Sequence, residues 1–197
     1  ANSGVGMGIG NDNLYPVNAS AKATDGLLDI GDSAARFKDL YLSGGVDFGG
    51  AVNSGGVVSS SNKLDDYEEG TWTPTLPSGG TIGSIQAAKY VKIGNLVTVN
   101  FYIATINPTA NTTQFRIGSL PYNAKNSPNS YFAGSIAYSG NAQSNTLLPI
   151  TGQNYNYIYF HRNDANSATL SNNDMRALGF VGATADDLIM SITYQTN

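Results

Sequence analysis

From Gly4 to Gly10 the chain reads GVGMGIG, with glycine at every even position and Val5, Met7 and Ile9 between. Side chains of an extended strand alternate between two faces, so this run predicts a strand with three apolar side chains on one face and none on the other. The bare face admits another backbone at close range. A solitary chain gains little from that arrangement; copies packed around a shared axis gain a great deal. The neighbouring sequence is equally thin. Leu27–Ile30 is a short apolar piece ended by Gly31-Asp32, and Asp32 or Ser33 is placed to cap a single helical turn through Phe37. Leu40-Tyr41-Leu42 predicts a short strand stopped by Ser43-Gly44-Gly45, and Val46, Phe48 and Val52 follow among more glycines. Such a segment lacks the large apolar residues of an independent core, which predicts an elongated stem whose interior is made between chains.

Charge and glycine shift together further on. Residues 1–69 carry ten Asp/Glu against four Lys/Arg, residues 70–197 four against six, and twelve of the 23 glycines lie in the first 60 residues. The boundary falls in Lys63–Gly70, KLDDYEEG. Beyond it, candidate strands are Thr71–Leu76, Ala88–Ile93, Leu96–Ile106, Thr113–Ile117, Tyr131–Tyr138, Asn145–Ile150, Tyr155–Arg162, Met175–Phe180 and Leu188–Gln195. Turn signals separate them, among them Pro77-Ser78-Gly79-Gly80, Asn107-Pro108 and Ser171-Asn172-Asn173, and Gly94-Asn95 marks a tight hairpin. Ala183–Asp187 is read as a loop. The predicted fold is all-β: a glycine-rich, elongated trimeric stem at 1–62, a neck at 63–70, and an antiparallel, jelly-roll-like β-sandwich head at 71–197.

The composition excludes several functions. The chain has no cysteine and one histidine, so thiolate zinc sites, iron–sulfur clusters and multi-imidazole zinc centres within one chain are ruled out. A net charge of −4 gives no electrostatic footprint for nucleic acid. No apolar run approaches the length of a membrane span, so no membrane insertion is expected. No signal peptide is visible, and a start at Ala1 is expected of a fragment or a processed product.

Three stretches carry a resemblance. GVGMGIGN at 4–11 is similar to the Val-Gly-Ile-Gly unit of fibre shafts; LDIGDSAARFKDLYLSGGV at 28–46 resembles a repeated fibre element; LDDYEEGTWTPTL at 64–76 resembles the junction into a distal head. Together they resemble bacteriophage tail fibres over about the first 76 residues. The resemblance implies a homotrimeric virion protein, joined to proximal fibre or tail proteins, whose head touches a glycan or outer-membrane protein of the bacterial surface.

At the neck, Asp65, Asp66, Glu68 and Glu69 place four carboxylates within five positions. They read either as a solvated turn or as partners of Lys63 or Arg36 from a neighbouring chain. Trp72 reads as a ring buried at the neck.

Catalytic chemistry is thin in the head. Glycoside cleavage needs two carboxyl groups about 5–9.5 Å apart, and the head offers only Asp164, Asp174, Asp186 and Asp187. Neighbours such as Asp186 and Asp187 point apart on a strand, which leaves a pair across loops, such as Asp164 with Asp174. No Gly-x-Ser-x-Gly elbow accompanies His161. Ile9 stands where a dinucleotide fingerprint needs glycine. Asp164-Ala165-Asn166 lacks the later glutamate of a calcium loop, and three copies of His161 on a trimer axis are the remaining metal geometry. The expectation is therefore no enzyme, no catalytic residue, no cofactor and no metal.

The run Tyr155–Asp164 carries the binding expectation. In an extended chain Tyr155, Tyr157, Tyr159 and His161 share one face, with Ile158 and Phe160 on the core face. The tyrosine face is either a subunit interface or a sugar-binding surface, where rings cover C–H groups and amides bond hydroxyls. Asn163, Asp164, Tyr122 and Asn123 complete the candidate receptor site from adjoining loops. The reading is a tail-fibre receptor-binding protein in the virion that adheres to the host by avidity without catalysis. A structural fibre or capsid decoration is the alternative, and a small capsule depolymerase the third.

Overall fold

A computed structural model of the chain describes residues 6–10, 13–18, 20–23, 29, 30, 32–43, 46, 47, 63, 64, 66–140, 147–162, 168–182 and 186–197. It divides into two compact units, Ala1–Gly44 and Gly45–Asn197.

In the first unit the alternating glycine run does form a strand, β1 (Gly6–Gly10). It pairs antiparallel with β2 (Asn13–Val17), Met7 opposite Pro16. Asp32 behaves as a cap without a helix: its carboxylate accepts the N–H groups of Ala34 at 2.6 Å and Ala35 at 2.7 Å, and the chain turns there instead of winding on. Leu40–Leu42 is not a strand, because no described segment supplies ladder partners for its backbone.

In the second unit β3 (Val46–Asp47) pairs with β4 (Lys63–Leu64). The remaining strands are β5 (Tyr67–Thr71), β6 (Gly80–Ile93), β7 (Leu96–Pro108), β8 (Arg116–Gly118), β9 (Tyr131–Ser139), β10 (Leu147–Gly152), β11 (Tyr157–Arg162) and β12 (Leu188–Gln195). They form one antiparallel sheet of eight strands in the order β5-β6-β7-β12-β9-β10-β11-β8. The all-β expectation holds, but the strands are joined edge to edge rather than divided between two facing sheets. Residues 67–70, expected as part of a neck, make up most of the edge strand β5.

The sheet curls because its two ends meet. Just beyond β5, Thr75 exchanges backbone hydrogen bonds with Gly118 of β8, the strand at the opposite edge (2.9 and 3.3 Å). The turn of the curl falls on β9. Its first residues pair with β10 and its later ones with β12, with Gly134 opposite Ile192 and Ala133 opposite Ile150. A Cβ on Gly134 would lie 2.6 Å from the Ser191 carbonyl oxygen and 2.9 Å from Ile192 Cβ. Only glycine lets the chain pass there.

One core fills the curl. β7 contributes Val97, Val99, Phe101 and Ile103, the period-two set visible in the sequence, and β12 contributes Leu188, Met190, Ile192 and Tyr194 against it. Ile158 and Phe160 of β11 are fully buried, as are Phe115 and Ile117 around β8. Trp72 meets Phe101 edge-on, ring centroids 5.5 Å apart. The β6–β7 hairpin turns at Gly94, φ 57°, followed by Asn95 at negative φ, the pattern of a II′ turn.

Predicted strands also fail or shift in this unit, Thr71–Leu76 among them, of which only Thr71 lies in a strand and Thr75 in a single bridge. Met175–Phe180 is not a strand: α1 (Asn172–Ala177) starts there, with Ser171 as N-cap in a capping box closed by the Asp174 carboxylate. β6 starts at Gly80 rather than near Ala88, since Gly80–Gln86 pairs with the far half of β7 despite its weak apolar pattern.

Candidate functional site

β11 splits its side chains as an extended strand must. Ile158 and Phe160 point into the core, while Tyr157, Tyr159 and His161 lie on the outer face in line with Tyr155 just before the strand. The rings form a continuous row. Tyr155 stacks on Tyr157 with centroids 4.6 Å apart and planes within 14° of parallel. Tyr159 stands edge-on to both, at 6.2 and 6.4 Å. His161 follows 5.4 Å from Tyr159, and its Nε2 lies 3.3 Å from Thr169 Oγ1.

Pairing with the neighbouring strands widens this row into a surface. Arg116 of β8 lies opposite Tyr159, and its guanidinium sits 4.3 Å from the centroid of the Tyr157 ring. On the other side Leu148 lies opposite His161 and Ile150 opposite Tyr159. Tyr159 is the most covered of the row; Tyr155, Tyr157 and His161 are half-buried. Burial is the chief cause that pushes the Tyr157 and Tyr159 hydroxyls up, and Arg116 opposes it at Tyr157. The Tyr157 and Tyr159 hydroxyls therefore stay neutral at ordinary pH, able both to donate and to accept.

The other expected site residues divide. Asn123 lies beside the start of the row: its side-chain amide donates to Asn154 Oδ1 at 3.3 Å, and the next residue, Ala124, donates its N–H to the Tyr155 carbonyl. Tyr122 belongs elsewhere. Its hydroxyl donates to the Glu68 carboxylate, which also accepts the Tyr90 hydroxyl. The hydrogen bond to Glu68 is the largest cause that pushes the Tyr122 phenol up to about 12; reciprocally, Tyr122 and then Tyr90 hold Glu68 below the usual carboxylate range. Asn163 and Asp164 lie outside the described residues.

The acidic neck residues also find partners within the chain. Asp66 pairs with the buried Lys92, whose ammonium lies 5.4 Å from the centre of the Tyr122 ring. Glu69 accepts from the Tyr67 hydroxyl at 2.9 Å. Asp65, like the Lys63 side chain, lies outside what is described. Trp72 is buried with its indole N–H unpartnered.

The described carboxylates of the head are each engaged. Asp174 closes the α1 cap and is held low by the hydroxyl and backbone N–H of Ser171. Asp186 is buried and accepts the Val181 N–H at 2.8 Å. Asp187 points the other way and accepts the Tyr102 hydroxyl at 2.8 Å. Among the described residues no three of His, Cys, Asp and Glu gather as a metal site, and no helix is long and apolar enough to cross a membrane.

The residue that sequence reasoning missed here is Arg116. It stands alone in TQFRIG, and only the β8–β11 pairing brings it onto the tyrosine row.

Comparison with known proteins gives one partial relative. A protein of Klebsiella phage K64-1, described as a capsule KN4-specific depolymerase, is 31% identical over 97 residues, which is 48% of this chain. The match spans 13% of that relative's own length. No family model matches the sequence, and no solved structure matches it. The match supports a bacteriophage-associated protein. It also overturns the expectation of a protein with no enzymatic role, because the relative is an enzyme that degrades capsule.

Proposed function

We propose that this chain is part of a bacteriophage tail protein and that its curled sheet holds the virion on bacterial surface polysaccharide. The observation that carries this reading is the outer face of β11: four aromatic rings in a row, flanked by Arg116 and by the amides of Asn123 and Asn154. Stacked rings present hydroxyls to a ligand without a large entropic cost, since neighbouring rings already fix one another. Polysaccharide offers alternating hydroxyls and apolar ring faces that suit such a row. The role assigned to this chain is recognition of the ligand class named for its relative, a capsule-type glycan.

We further propose that the first unit assembles with two other copies as a fibre stem. Met7, Leu14, Ile30, Phe37 and Leu40 are exposed there and, with Arg36, Asp32 and Asp39, line a depression of about 690 Å³. Three weak glycan sites on one fibre, and several fibres on one virion, then multiply residence on the cell.

The test is retention of the full chain on capsulated cells and on purified capsular polysaccharide, with new reducing ends assayed in parallel. Tyr157→Ala should lower retention at least tenfold with thermal unfolding unchanged. Equal retention would overturn the reading. A fall in light-scattering mass on the same substitution would instead assign the row to packing between copies, and release of oligosaccharide would assign cutting to this chain itself.

A further inference from the structure

A second feature lies on the outer face of the other half of the sheet. The ladder register places Lys89, Asn100, Ser191 and Ser135 in one line across β6, β7, β12 and β9, since Lys89 faces Asn100, Asn100 faces Ser191 and Ser191 faces Ser135. The next line holds Ala87, Tyr102 and Ile189. Both lines border a depression of about 350 Å³. Lys89 also lines a second depression of about 340 Å³, toward β5, with Thr71, Glu69 and Val91. At about 4.8 Å between neighbouring strands, the track from β5 to β9 runs about 19 Å.

Its chemistry is specific. Lys89 is exposed, and no carboxylate among the described residues pairs with it. The acids nearest in the sheet are engaged elsewhere: Glu69 by the Tyr67 hydroxyl, Asp187 by the Tyr102 hydroxyl and the Thr105 N–H. With its hydroxyl given to Asp187, Tyr102 turns a fixed aromatic wall to the depression. The Ser135 and Ser191 hydroxyls are 3.2 Å apart, which uses one proton and leaves the other hydrogen and the remaining lone pairs for a ligand. Asn100 adds an exposed amide, and Ala87, Ala137 and Ile189 give the floor an apolar patch. Hydroxyls, an amide and an aromatic wall suit a sugar ring; one unpaired ammonium at its border suits a carboxylate on that ring.

We propose that this track binds an acidic segment of a polysaccharide, with the carboxylate of a uronate residue on Lys89 and its hydroxyls on Asn100, Ser135 and Ser191. The inference deepens the glycan reading above, on which it rests, and names a separate surface and the charge class of the ligand. It requires nothing of the tyrosine row, whose strand lies on the far side of β9 and β10.

The experiment titrates the full chain, ¹⁵N-labelled, with oligogalacturonate and, in parallel, with its methyl-esterified neutral counterpart. Amide shifts are expected at Lys89, Asn100, Ser135 and Ser191 with the acid and not with the ester. Lys89→Gln should weaken that binding about tenfold, the loss of one charge-assisted hydrogen bond, while Lys89→Arg keeps it. The side chain is exposed, so either variant should fold normally. Equal binding of acid and ester, shifts confined to other residues, or indifference to Lys89→Gln would each overturn the proposal. Binding lost in Tyr157→Ala but kept in Lys89→Gln would overturn this proposal and spare the general one; absence of binding to both oligosaccharides, joined to unchanged retention of Tyr157→Ala on cells, would sink both.

Discussion

Phe160 and Phe37 meet opposite conditions in one chain. Phe160 has no exposed surface, whereas Phe37 is 66% exposed in company with Ile30, Leu40 and Tyr41. The difference does not lie in hydrophobicity. In the second unit long strands pair along most of their length, so each period-two apolar set finds another set facing it across the curl. Among the described residues of the first unit, β1 and β2 form a two-stranded ribbon with one further bridge, Val17 to Ala23, and such a ribbon has no second layer to cover its apolar side chains. Apolar residues become a core only when the backbone supplies an opposing face.

The sharpest way to break this contrast is to truncate one ring from each region. Phe160→Ala removes a buried ring and should cost about 3–5 kcal/mol, enough to unfold much of the sheet at moderate temperature. Phe37→Ser should leave the thermal unfolding of the second unit where it was, and should lower the light-scattering mass of the full chain if copies cover that side chain. Equal destabilisation by the two substitutions in circular-dichroism melts would erase the distinction.

Within the second unit the contrast sharpens at Gly134, where burial depends on an absent side chain. Gly134→Ala would press a methyl group against the Ser191 carbonyl and Ile192, neither of which is the flexible end of a side chain. The expected cost is about 1–3 kcal/mol, read as a lowered midpoint in urea. An unchanged midpoint would mean that β9 can slide away from β12, and that the curl is not fixed there.

These residues also show what the sequence can and cannot announce. Val97, Val99, Phe101 and Ile103 are legible because their alternation is local, and the same alternation separates Ile158 and Phe160 from the tyrosine face. Gly80–Gln86 carries no such pattern, and it becomes strand because β7 is long enough to pair with it. The α1 turn hides among the apolar residues Met175, Leu178 and Phe180 and shows itself only when the Ser171–Asp174 cap is given weight. Arg116 over Tyr157, and Glu68 under Tyr90 and Tyr122, are long-range consequences of strand order. No local pattern in one sequence encodes them.

The smallest effect belongs to the edge strand β5, which is tied to the sheet by polar side chains as well as by its ladder. Glu68 titrates below the usual carboxylate range because two phenols donate to it, Tyr122 more strongly than Tyr90. A lowered folded value means that this contribution is complete above the unfolded carboxylate value, about 4.3, and fades as pH falls through the lower folded one. Tyr122 runs the other way. Its phenol is raised to about 12, so its contribution is complete below the ordinary phenol value and disappears as pH rises toward 12. The Glu68→Gln variant keeps an acceptor oxygen but removes the charge. It should bring the Tyr122 titration back toward that of an ordinary phenol, visible as phenolate absorbance appearing earlier in an alkaline titration, with the overall melt almost unmoved because both groups are near solvent. Tyr194 stays high in either protein, since burial is the main cause that raises it. Superimposable alkaline titration curves for the two proteins would show that the carboxylate does not govern Tyr122, and that β5 is held by its backbone ladder and the Asp66–Lys92 pair instead.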